Sequence, residues 1–109
     1  MLALEETLKA IPPGILKIAD AKRGDIGSTS ESYANAVFKE WGFDAVTVNP
    51  YMGRDSIQPF LHYEDRGVFV LCRTSNLDAD QFQGLILKDD SYLYEHIAKT
   101  VVNWGGNIG

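Results

Sequence analysis

The chain has 109 residues, 45% of them hydrophobic and 23% charged, which suits at most one globular domain. A net charge of −5, from 15 acidic and 10 basic residues, argues against a general nucleic-acid or membrane-surface binder. The single cysteine, Cys72, excludes an intrachain disulfide, and without a CxxC or Cys/His cluster nothing suggests structural zinc.

No apolar run approaches the roughly 20 residues of a membrane span. Met1 is followed by Leu-Ala-Leu-Glu-Glu, not by a basic and then an apolar region, so no signal peptide is expected. The expectation is a soluble cytoplasmic protein.

Residues 2–11 place apolar groups at 2, 4, 8 and 11, one face of a helix, which Pro12-Pro13-Gly14 ends. Residues 15–19 read as a short strand. A loop over 20–27 leads to Ser28-Thr29-Ser30-Glu31, a capping-box pattern that predicts a helix running to about Trp41, with Gly42 as its stop. Ala45-Val46-Thr47-Val48 is the next strand, broken by Asn49-Pro50-Tyr51-Met52-Gly53. A short helix follows from near Asp55 to about Tyr63. Val68-Phe69-Val70-Leu71-Cys72 is a buried strand, left by the polar loop Arg73-Thr74-Ser75-Asn76. Residues 91–104 predict a final helix, with Glu95 and Lys99 spaced for an i,i+4 pair.

Strands alternating with helices imply an α/β fold with a parallel sheet and right-handed crossovers. Nearly continuous apolar strands imply a sheet covered on both faces or rolled into a barrel. In such folds the loops after the strands emerge on one face and carry the chemistry.

Asp20-Ala21-Lys22-Arg23-Gly24-Asp25 is the stretch richest in chemistry. If the strand runs on through them, Asp20 and Lys22 point to the same face. A lysine flanked by carboxylates is held as an ammonium, able to stabilise developing negative charge and then deliver a proton. The bland alternative is a solvated surface pair that adds little. The hydroxyls and amides of residues 73–76 suit a polar planar ligand or, equally, a turn that caps the next segment. Asn49-Pro50-Tyr51 reads as a plain strand-to-helix turn. Cys72 reads as core, and His62 and His96 as surface or packing residues. Trp41, Phe43 and Trp104 are expected to pack against the sheet.

Asp20-Ala21-Lys22-Arg23-Gly24-Asp25-Ile26-Gly27-Ser28-Thr29 resembles the signature of orotidine 5'-phosphate decarboxylases, in the bacterial branch whose loop reads Asp-Ala-Lys-Arg-Gly-Asp-Ile. Residues 45–55 and 67–76 resemble the same branch. The resemblance implies a (β/α)₈ barrel working as a dimer, with residues 16–20, 44–48 and 68–72 as its third, fourth and fifth strands. Residues 1–109 would then be the central segment of a single barrel domain. It implies cofactor-free, metal-free decarboxylation of orotidine 5'-monophosphate to uridine 5'-monophosphate (UMP), in pyrimidine biosynthesis. Lys22 would donate a proton to C6, and Asp20 would sit against the substrate carboxylate. Asp25 would reach into the neighbouring subunit's site, with Ile26 and Thr29 beside it. Ser75 would contact the pyrimidine, helped by Thr74.

A whole barrel needs about 250 residues, so this piece alone is expected to be an internal fragment without activity. The implied partners are a nucleotide substrate and a second subunit, with neither nucleic acid nor membrane. Two alternatives remain open: a sister barrel enzyme acting on a sugar phosphate, and a non-catalytic α/β module.

Overall fold

The computed structural model describes residues 2–109. Three parallel strands, β1 (Ile18–Arg23), β2 (Ala45–Val48) and β3 (Gly67–Val70), lie side by side in chain order. Helix α1 (Leu2–Ala10) precedes them. Helix α2 (Gly27–Asn35) continues through a π turn, Ala36–Glu40, and joins β1 to β2. A 3₁₀ turn (Arg54–Ser56) and helix α3 (Gln58–Leu61) join β2 to β3. A 3₁₀ turn, Ala79–Gln81, and helix α4 (Leu93–Val101) follow β3. Ile108 then comes alongside Val68 in an isolated parallel bridge.

Alternation along the strands separates two faces. Val46, Val48 and Val68 are fully buried beneath Val37 and Phe38 of the π turn, Ile57 just before α3, and Phe60 of α3. Ala19, Ala21 and Val70 border that core. The opposite face carries Ile18, Asp20, Thr47 and Phe69. That face is largely open: Ile18 is 52% and Phe69 42% exposed, with Gly109 against the Phe69 ring. Of the two expectations, a sheet covered on both faces or one rolled into a barrel, the open second face fits the barrel, whose interior it would line. The radius of gyration is 15.3 Å, against about 13 Å for a compact domain of this size.

Several local expectations change. The strand read as buried over 68–72 ends at Val70, and only Val68 in it is fully buried, because one face of the sheet is open and leaves Phe69 42% exposed. β1 starts at Ile18 instead of residue 15, because the paired register with β2 begins at Ile18 opposite Ala45, with the Lys17 carbonyl accepting the Asp44 and Ala45 N–H groups just before it. The Asp44 carboxylate in turn accepts the Lys17 N–H at 2.8 Å. The Ser28–Glu31 capping box does not form. Gly27 adopts φ +48° and opens the helix before Ser28, so Ser28 falls inside the first turn and Glu31 just beyond it. The helix read from Asp55 to Tyr63 is broken at Ile57 into a 3₁₀ turn and one α-helical turn, α3. The Glu95–Lys99 pair is also missing, because Glu95 turns back and accepts the Tyr92 N–H at 3.1 Å.

The predicted stop at Gly42 holds, with φ +67°. Phe43 is buried, and Trp41 and Trp104 pack at the core's margin. His62 and His96 are exposed. Cys72 is half-buried, and burial pushes its thiol above its ordinary value. Among the described residues no helix is long and apolar enough to cross a membrane.

Phe38 is the keystone of the covered face. It meets Phe60 edge-on at 6.3 Å and Tyr63 at 5.1 Å. Phe38→Ala is expected to lower stability by about 3–5 kcal/mol, measured by urea denaturation. A loss below about 1 kcal/mol would contradict the packing described.

Candidate active site

The site begins with a mismatch between two strands. Ala19 pairs with Val46 and Arg23 with Val48. Asp20, Ala21 and Lys22 must therefore stand opposite Thr47 alone. The surplus bulges, and Lys22 takes a left-handed φ of +51°, uncommon for any residue with a side chain. A bulge strands backbone groups. Here the Thr47 hydroxyl accepts the Lys22 N–H at 3.0 Å and donates to Asp20 Oδ1 at 2.9 Å. The same Asp20 oxygen pairs with Lys22 Nζ at 2.6 Å.

The expected extension of the strand through both charges is thus real, and the bulge brings them into contact. Sequence reasoning missed Thr47. Its signal was one hydroxyl in the otherwise aliphatic run Ala45-Val46-Thr47-Val48. The Lys22 ammonium and then the Thr47 hydroxyl hold the Asp20 carboxyl below its ordinary value.

Beyond β1 the chain presses on the loop after β2. Asn49 N–H donates to the Arg23 carbonyl at 2.7 Å. A Cβ on Gly24 would lie 2.6 Å from the Asn49 carbonyl oxygen, so only glycine fits without a shift. Asn49 Oδ1 accepts the Tyr51 N–H at 2.9 Å, which bears out the turn reading there.

Asp25 does not join the pair within this chain. Its Oδ1 accepts the Ile26 N–H at 2.7 Å at the entry to α2. Ile26 is 76% exposed and Thr29 is exposed on the first turn of α2. At the end of β3, Thr74 is held by Gln83 and by Asn76, and the Ser75 side chain is exposed between them. Asp20, Lys22, Asn49 and residues 73–76 all lie at the C-terminal edge of the sheet, where parallel α/β folds place their active sites. Among the described residues no group of three His, Cys, Asp or Glu side chains is placed to hold a metal ion.

The family model described as orotidine 5'-phosphate decarboxylase / HUMPS matches residues 4–107. The chain belongs to this family. An orotidine 5'-phosphate decarboxylase of Dehalococcoides mccartyi is 53% identical over 111 residues, covering 97% of this chain and 41% of the relative. One of Herpetosiphon aurantiacus is 50% identical over 107 residues, covering 97% of the chain and 40% of the relative. The solved structure of Leishmania donovani OMP decarboxylase superposes with a TM-score of 0.93 at 47% identity, covering 99% of this chain and 44% of that one. The chain thus spans about two fifths of the length of the family members it matches. Its three strand–helix units are part of the family's (β/α)₈ barrel, and the resemblance in the sequence is confirmed over nearly the whole chain.

Asp20 gives a direct readout of the bulge. Its folded carboxyl titrates below its unfolded value, so the pairing stabilises above the ordinary carboxylate range. That stability is lost as pH falls through the folded value. Thr47→Val is expected to raise the Asp20 value toward the ordinary one, followed by carboxyl ¹³C NMR titration. An unchanged titration would refute the role given to the Thr47 hydroxyl.

Proposed function

We propose that the chain is the central segment of a single barrel domain and supplies the charged centre of an orotidine 5'-phosphate decarboxylase. The observation that carries this reading is the Asp20–Lys22 contact of 2.6 Å, held at the strand-end bulge by Thr47. The names of the matched relatives support the substrate, orotidine 5'-monophosphate.

In this reading the C6–carboxylate bond breaks and CO₂ leaves, with the electron pair staying on C6. The Lys22 ammonium lies against the developing carbanion and delivers the proton that completes UMP. No cofactor is called on to delocalise the charge, so stabilisation falls to a fixed cation whose position is set before reaction. Asp20 fixes that cation and faces the departing carboxylate. Thr74 and Ser75 contact the pyrimidine. Binding at the distant phosphate contributes energy for closing loops over the ring.

Asp25 takes its role from the neighbouring subunit of a homodimer, with Ile26 and Thr29 beside it. Its placement supports this, since its carboxylate sits at the entry to α2 and away from the pair in its own chain.

Two measurements on the full-length protein that carries this chain test the reading. Lys22→Ala should lower turnover of orotidine 5'-monophosphate by on the order of 10³-fold or more. Mixing Lys22→Ala and Asp25→Ala subunits should restore intact sites, up to about a quarter of the total in a two-fold dimer. Full activity in Lys22→Ala would dismiss the proton donor. No recovery after proven subunit exchange would dismiss the shared site.

A further inference from the structure

Gln83, which lies outside the charged centre, grips the loop that leaves β3. Its Oε1 accepts the Thr74 N–H at 2.8 Å, and its Nε2 donates to Thr74 Oγ1 at 3.0 Å. Thr74 Oγ1 in turn donates to Asn76 Oδ1 at 2.6 Å. Gln83 is itself anchored through its backbone: its N–H donates to the Ala79 carbonyl, and its carbonyl accepts the Tyr94 N–H, both at 3.1 Å. A second tie lies alongside. Arg73 pairs with Asp80 at 2.6 Å and covers the Tyr94 ring at 4.9 Å.

The result is selective. Arg73, Thr74 and Asn76 have their side chains engaged within the loop. Ser75, exposed between them, has a hydroxyl without a partner among the described residues. A turn that merely capped the following segment would leave no reason for one free hydroxyl on a peptide fixed from both sides. A loop that presents a hydroxyl to a ligand needs that peptide fixed, because a donor held in place loses less freedom on binding.

We infer that Gln83 is a positioning residue for base recognition: it clamps Thr74 so that Ser75 is presented to the hydrogen-bonding edge of the ligand's pyrimidine. This rests on the pyrimidine-contacting role proposed above for Thr74 and Ser75. It adds a residue nine positions further on that touches no substrate itself.

The test compares two ligands on the full-length protein that carries this chain, UMP and ribose 5-phosphate, which lacks the base. Gln83→Ala is expected to weaken UMP about fivefold to tenfold, the effect of one lost hydrogen bond. Ribose 5-phosphate should change by less than about twofold, inside the scatter of a change that touches no contact. Gln83→Glu keeps an acceptor for the Thr74 N–H and should recover part of the loss. Equal weakening of both ligands would mean general damage to the loop and would overturn the inference, as would unchanged UMP affinity. Wild-type protein that binds UMP no better than ribose 5-phosphate would overturn the pyrimidine reading itself, before any variant is compared.

Discussion

The Thr47 hydroxyl fills the gap that three residues of β1 open against one residue of β2. Without it the Lys22 N–H would have no ladder partner, and Asp20 would have only the lysine to hold it. A bulge is a way to aim side chains that a regular strand would space apart. Here it turns an Asp-x-Lys pattern into a contact at the mouth of the sheet. The left-handed Lys22 backbone is a local strain that the surrounding hydrogen bonds sustain.

The rest of the segment serves that geometry. The covered face buries Val46, Val48 and Val68 against Phe38, Ile57 and Phe60, so β2 cannot slip without moving its apolar residues out of the core. That fixes where Thr47 stands. Gly24 lets the loop after β1 lie directly on the Asn49 carbonyl, which ties two strand-end loops together. The third loop is tied down separately, through Thr74 and Gln83. The face that α2 and α3 leave uncovered is mixed, with Asp20 and Thr47 beside the exposed Ile18 and Phe69.

Much of this was legible in the chain. The apolar run 45–48 and the stops at Pro12-Pro13-Gly14 and Gly42 are local signals with local causes, and they placed the elements closely. The Asp20–Asp25 motif with two further blocks was enough to indicate the family. The failures were also local. Ser28–Glu31 has the composition of a capping box, but composition does not tell which residue starts the helix; the Gly27 backbone did. Glu95 has the spacing for a pair with Lys99, but the free Tyr92 amide at the helix start lies nearer and takes its carboxylate.

The order of strands and helices, the charge types at the strand ends and the family are readable from the residues alone, because they depend on residue identity and short-range periodicity. Which groups meet follows from how the strands and loops pack. Thr47 stands 27 residues from Asp20 and Gln83 nine from Thr74. The register between β1 and β2 and the return of the 79–84 segment onto the end of β3 bring them together, and neither leaves a mark in the periodicity of a single strand. The charged pair was readable as a motif, whereas its bulge and the hydroxyl that satisfies it come from two strands packed side by side.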